Sequence, residues 1–248
     1  MAILKVMYRF LVQVLLVQFL FLGGTSCTAG DDDDSAVGDD DDSSAPGVIT
    51  IHGGVEIITV GDYRPAGGIH IYEEGGTGRE TWTETEEGDW YLDLPADQSQ
   101  ALVRGARDDL TPVMFLLDLS WQRDRVDHLV LFNPFVANER SAFFSEEFGI
   151  DFNPAKGLLH VGAVSRTQGT EFAGASVEFD LTYDASFAVD DELGPSTTTD
   201  TQGILAFLNV QPGYAHITVR DPQGVLCTGV NPVPVEAGIT SHVVYDCP

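Results

Sequence analysis

From Thr199 the chain reads Thr199-Asp200-Thr201-Gln202-Gly203-Ile204-Leu205-Ala206-Phe207-Leu208-Asn209-Val210-Gln211-Pro212-Gly213-Tyr214, and this stretch decides the fold. Gly203 suits a turn that needs positive φ, Pro212-Gly213 sets a second turn, and Leu205, Phe207 and Val210 between them fill a sandwich core. An apolar run bounded by such turns reads as a strand. A second copy lies upstream, where Thr85-Glu86-Glu87-Gly88-Asp89-Trp90-Tyr91-Leu92-Asp93-Leu94-Pro95 matches it at an offset close to 110 residues.

The surrounding strands repeat as well. Gly157 to Val161 followed by Phe172 to Phe179 has its counterpart in Gly47 to His52 followed by Pro65 to Tyr72, although the Gly68 strand sits one position out of step. Other strands are expected at Gly68 to Tyr72, Leu102 to Arg104, Val113 to Leu119, Leu129 to Phe132, Ala215 to Arg220, Val233 to Glu236 and Ile239 to Tyr245. One segment reads as helix, Glu139 to Phe148, with Asn138 as its cap, Phe144 and Phe148 on one face and Gly149 as its stop. Phe143, Phe144 and Phe148 must bury somewhere, between the halves or over an open sandwich end.

With these motifs in view the chain resembles the carboxypeptidase regulatory-like domain, a prealbumin-like β-sandwich patterned G-A-x-V, T-D-x-x-G-x-F and P-G-x-Y. The second half fits well, with one residue missing before Tyr214; the first is a looser copy in which Ala96-Asp97 replaces the Pro-Gly turn. The fold class this implies is all-β, two tandem prealbumin-like or Ig-like sandwiches joined by one short helix. Such motifs are turn and core chemistry and specify no reaction.

The amino terminus reads as an address. Lys5 and Arg9 precede an apolar run, Phe10 to Leu22, too short at about 20 Å of helix to cross a hydrocarbon layer of about 30 Å. Small residues then lead to Cys27. The arrangement resembles a bacterial lipobox with Gly24 where Leu is usual, which implies lipidation of Cys27; ordinary cleavage near Ala29 is the alternative. Residues 28–46 carry eight aspartates and no large side chain except Val37. They read as a solvated stalk of about 65 Å at full stretch, since each ion bound by so unstructured a run would have to order it. Asp-rich tethers of this kind resemble those of Gram-negative surface lipoproteins, and Thr28 after the cysteine, by the same resemblance, favours the outer membrane. The expected organisation is a signal peptide over 1–26, an acidic tether over 27–46, a first sandwich over 47–135, a connecting helix over 136–149 and a second sandwich over 150–248. Each half supplies its own turns and core residues, so the two are expected to fold separately.

The formal charge of −27, from 39 acidic and 12 basic residues, disfavours nucleic acid as a partner. The expected partner is an envelope protein or a glycan. Cys227 and Cys247, twenty residues apart in an oxidising compartment, read as a disulfide. No Gly-x-Ser-x-Gly elbow or phosphate loop occurs. His70-Ile71-Tyr72-Glu73 spells the His-x-x-Glu of zinc carboxypeptidases, but residues three apart on a strand face opposite ways, and no catalytic or resident metal site is assigned. Asp184, Asp190, Asp191 and Glu192 cluster in one loop as calcium candidates. Trp82, in the alternating run Trp82-Thr83-Glu84-Thr85-Glu86, is the candidate surface contact. The expectation is a non-catalytic envelope lipoprotein without cofactor, acting as a binding or spacer module; the alternative is a calcium- or carbohydrate-binding adhesion module.

Overall fold

The computed structural model describes residues 47–59, 62–75, 78–84, 87–122, 130–132, 136–137, 139–165, 170–188 and 194–248. The signal segment, Cys27, the acidic tether and Asn138 lie outside the described residues. The first half contributes β1 (Val48–Thr59), β2 (Asp62–Pro65), β3 (His70–Glu73), β4 (Glu80–Trp82), β5 (Trp90–Pro95), β6 (Gln100–Ala106), β7 (Val113–Asp118), α1 (Leu119–Gln122) and β8 (Val130–Phe132). After α2 (Arg140–Phe148) come β9 (Gly157–Ser165), β10 (Thr170–Glu171), β11 (Ser176–Phe179), β12 (Ala185–Ala188), β13 (Gly194–Pro195), β14 (Ile204–Val210), β15 (Gly213–Ala215), β16 (Ile217–Arg220), β17 (Val233–Val235) and β18 (Thr240–Cys247).

The duplication is written in hydrogen bonds. In the first half Val55 donates its N–H to the Gly88 carbonyl and Ala66 donates to Val55; in the second Ala163 donates to Gly203 and Phe172 to Ala163. Thr83 Oγ1 accepts from the Ile69 N–H and donates to the Ala66 carbonyl, and Thr199 Oγ1 does the same with Ala175 and Phe172. These equivalences settle the register. Ala66, not Pro65, stands where Phe172 does, Gly68 matches Gly174, and Thr83 rather than Thr85 occupies the place of Thr199. Each copy also runs one late strand parallel to its first, β8 beside β1 and β18 beside β9.

The halves are not separate bodies. β18 pairs in parallel with β9 on one side and with β7 of the first half on the other, from Thr240↔Val113 to Val243↔Leu116. One ten-stranded sheet therefore runs through the molecule, β13-β12-β14-β9-β18-β7-β6-β3-β4, with β10 also on β9. Residues Gly47–Pro248 form a single compact unit.

The two cores lie on opposite faces of this sheet. On β7, Val113, Phe115 and Leu117 turn into the first core, closed by β1 and β5, whereas Leu116 turns into the second with Val161, Phe207 and Val243. Side chains alternate across a strand, so a single strand serves both. The sheets β11-β16 and β15-β17 complete the second sandwich.

α2 ends at Gly149, whose left-handed backbone donates to the Phe144 and Ser145 carbonyls. It joins neither the space between the halves nor an open end. Phe143, Phe144, Phe148 and Phe152 pack with Phe187, Leu158, Ala206 and Leu208. That covers the second face of β9 and β14, which explains why Ile204 to Val210 is apolar almost throughout: a strand buried on both faces has no polar side.

Candidate functional site

An exposed indole, that of Trp82, sits at one edge of the long sheet. β3 and β4 pair antiparallel, placing His70 opposite Trp82 and Tyr72 opposite Glu80. Paired residues share a face, so all four project together. The His70 imidazole lies 4.6 Å from the Trp82 ring at 21° and 4.9 Å from Tyr72 at 29°, and its Nε2 is 2.8 Å from Glu80 Oε2. β4 is the terminal strand, and Trp82 keeps 60% of its surface exposed. Trp90, at 1%, is core. Glu73 points the other way, buried, and takes a hydrogen bond from Gln98 Nε2. His70 and Glu73 thus do not converge on a metal.

On the same face Arg104, paired with Tyr72 across β3 and β6, is buried and binds Glu74 and, from the second half, Glu236. Burial alone would lower its pKa; the hydrogen bonds it donates to Glu236 and Glu74, together with their negative charge, more than offset this and hold it above the ordinary arginine value. Arg107 is bidentate to Asp109. Arg104 and Arg107 are therefore already matched by carboxylates, and Arg79 donates to the Asp93 carbonyl, while Glu80 and Glu84 on either side of Trp82 stay exposed.

Asp184 is engaged rather than open. Its Oδ2 accepts from Asn209 Nδ2 at 2.9 Å and its Oδ1 lies 3.4 Å from Lys156 Nζ. Asn209, buried at a bulge in β14 with φ of 56°, also donates to the Asp151 carbonyl and accepts from the Asn153 N–H. The carboxylate thus fastens the turn before β9 to the end of β14. Asp190, Asp191 and Glu192 lie outside the described residues. Among the described residues no three His, Cys, Asp or Glu side chains gather for a metal. Cys227 and Cys247 form the expected disulfide.

Sequence reasoning missed a histidine pair. His160 and His242 are register partners on β9 and β18, with rings 4.7 Å apart, edge to face, and Phe115 of β7 stacks 5.6 Å beyond His242. Burial lowers the His160 imidazole to about 4, and burial together with the charge of His160 holds His242 well below the ordinary histidine value. His242 Nε2, Ser241 Oγ and Thr240 Oγ1 have no hydrogen-bond partner. Only the pairing of β9, β18 and β7 brings the two histidines together, and nothing local in the sequence signals that pairing. Arg140 is similarly enclosed: its guanidinium lies 3.8 Å over the Phe152 ring, its Nη1 donates to the Gly238 carbonyl, and burial lowers its pKa to about 10.

No family model matches this chain, and no curated protein does. Among solved structures it is similar to the Bacillus anthracis TIE protein, at 14% identity and a TM-score of 0.23, covering 80% of this chain and 34% of that one. It is also similar to the shaft pilin SpaA of Lactobacillus rhamnosus GG, at 12% identity and a TM-score of 0.25, covering 82% and 98%. A third is GBS52, the minor pilin of Streptococcus agalactiae, at 11% identity and a TM-score of 0.25, covering 78% and 95%. The chain spans about a third of the length of the first of these. At such scores the likenesses carry no argument about function.

Proposed function

We propose that this chain is a non-catalytic envelope lipoprotein, anchored through Cys27, whose β unit stands off the membrane on the acidic tether and works as a binding or spacer module. The observation that carries the reading is the continuous ten-stranded sheet, which makes 47–248 a single compact body at the end of the aspartate-rich segment. A spacer gains from that continuity, since a flexible joint between its halves would dissipate the reach it provides. The repeats over 47–135 and 150–248, with 136–149 between them, are carboxypeptidase regulatory-like sandwiches on this reading, and the destination is the outer membrane. The matched polar groups support a structural role: Arg104, Asp184 and Arg107 each hold loops or halves together rather than facing a reactant.

The test is fractionation. Cys27→Ser should move the protein out of the membrane fraction, and mass spectrometry of the wild type should find acyl chains on residue 27. A variant that remains membrane-bound at full length would overturn the anchor.

A further inference from the structure

We propose that the outward face of Trp82, between Glu80 and Glu84, is a docking site for an arginine side chain on a basic segment of a partner protein. One indole face is covered by His70, at 4.6 Å, and the other points off the sheet, because among the described residues β4 is the last strand. His70 in turn stacks on Tyr72, and Glu80 Oε2 holds His70 in place, so the platform is built in advance of any ligand. Preorganisation of this kind lowers the ordering cost of binding.

Charge selects the occupant. The chain carries −27, Arg104 and Arg107 are matched by carboxylates, Arg79 donates to the Asp93 carbonyl, and Glu80 remains 60% exposed while bound to His70. An indole face attracts a cation through its quadrupole, and flanking carboxylates add to the attraction. Of the cationic side chains, arginine fits best: its planar guanidinium stacks on the ring and still directs N–H donors sideways to a carboxylate, which a lysine ammonium cannot do at once. A neutral sugar ring would stack on the same indole but would gain nothing from the acidic surround. The site deepens the binding half of the function proposed above. It does not depend on Cys27, so fractionation and peptide titration fail separately.

The test titrates full-length protein with a capped heptapeptide of alternating glycine and arginine, its lysine counterpart and a neutral hexasaccharide, followed by tryptophan fluorescence and calorimetry. The arginine peptide should bind more tightly than the lysine peptide and should weaken as salt rises. Trp82→Ala should lose about two- to fivefold in affinity, the range expected of an exposed cation–π contact, with Trp82→Phe in between and Glu80→Gln also weaker. The acidic tether is identical in every variant, so binding to it cancels. Equal affinity of wild type and Trp82→Ala for the arginine peptide would overturn the proposal. So would hexasaccharide binding that depends on Trp82 while the peptide is indifferent to it. Should Trp82→Ala lower the melting temperature, Trp82→Phe and Glu80→Gln decide, and wild-type affinity in both would overturn the site.

Discussion

The two halves of this molecule share one hydrogen-bonding plan and differ in how they finish it. In both, a glycine carbonyl, Gly88 or Gly203, receives the N–H of the first strand, and a threonine, Thr83 or Thr199, clasps the turn two strands on. The second half adds a disulfide, a helix over its outer sheet face and a final strand that does double service. Among its described residues the first half has none of these, and it leaves its stacked aromatic residues open at the sheet edge. The halves thus teach what is essential to the fold, which is the shared clasp, and what is particular to each copy.

Breaking the clasp should cost most. A Cβ at Gly203 would stand 2.4 Å from the Ala163 carbonyl oxygen, and one at Gly88 2.4 Å from that of Val55, both at φ near 70°. Gly203→Ala and Gly88→Ala are each expected to destabilise by about 3 kcal/mol or more, read by urea unfolding. If one substitution is harmless, the halves are not equivalent there. Next comes the disulfide: replacing Cys227 and Cys247 by alanine should cost about 3 kcal/mol on the chain-entropy model, and the first half offers no equivalent loss.

Thr83→Val and Thr199→Val sharpen the comparison at smaller cost. Each leaves a buried backbone N–H, of Ile69 or Ala175, without its acceptor, worth about 1–3 kcal/mol, and the two values should agree within about 1 kcal/mol.

Much of this plan was legible before the structure. Ile204 to Val210, Gly203, Gly149 and the cysteine pair are set by local signals: a long apolar run, a turn that needs positive φ, a helix stop and an even pair of thiols. The short strands β2, β10, β12, β13 and β15 were not, because two to four residues held by pairing alone carry little periodicity. Nor was the union of the halves. A parallel pairing between β7 and β18 depends on residues more than a hundred positions apart, and the Thr240-Ser241-His242 that opens β18 looks like a surface run although it is buried. Trp82 was readable as exposed from its alternating polar neighbours; its stack on His70 required the β3–β4 register.

The histidine pair makes the seam sensitive to acid. Both imidazoles are held neutral, with folded pKa values below the unfolded value of 6.5, so the unfolded chain takes up protons first as pH falls. Stability should therefore be full above about pH 6.5 and decline toward pH 4, by up to about 3 kcal/mol for His160 alone. Repulsion among the carboxylates relaxes over part of the same range, so the informative quantity is the difference between wild type and His242→Val. That variant removes an unpartnered buried group, and at neutral pH it should be near wild type, within about 1 kcal/mol. Its melting temperature should fall less steeply with acid, and an equally steep fall would remove the pair from the account.

The central claim is that β18 joins the halves into one cooperative body, and calorimetric unfolding of the full-length oxidised protein tests it most directly. A single transition is expected, with calorimetric and van't Hoff enthalpies equal, and reduction of Cys227–Cys247 should carry that whole transition to lower temperature. Two resolved transitions, of which reduction moves only one, would contradict the claim and return the molecule to two independent sandwiches.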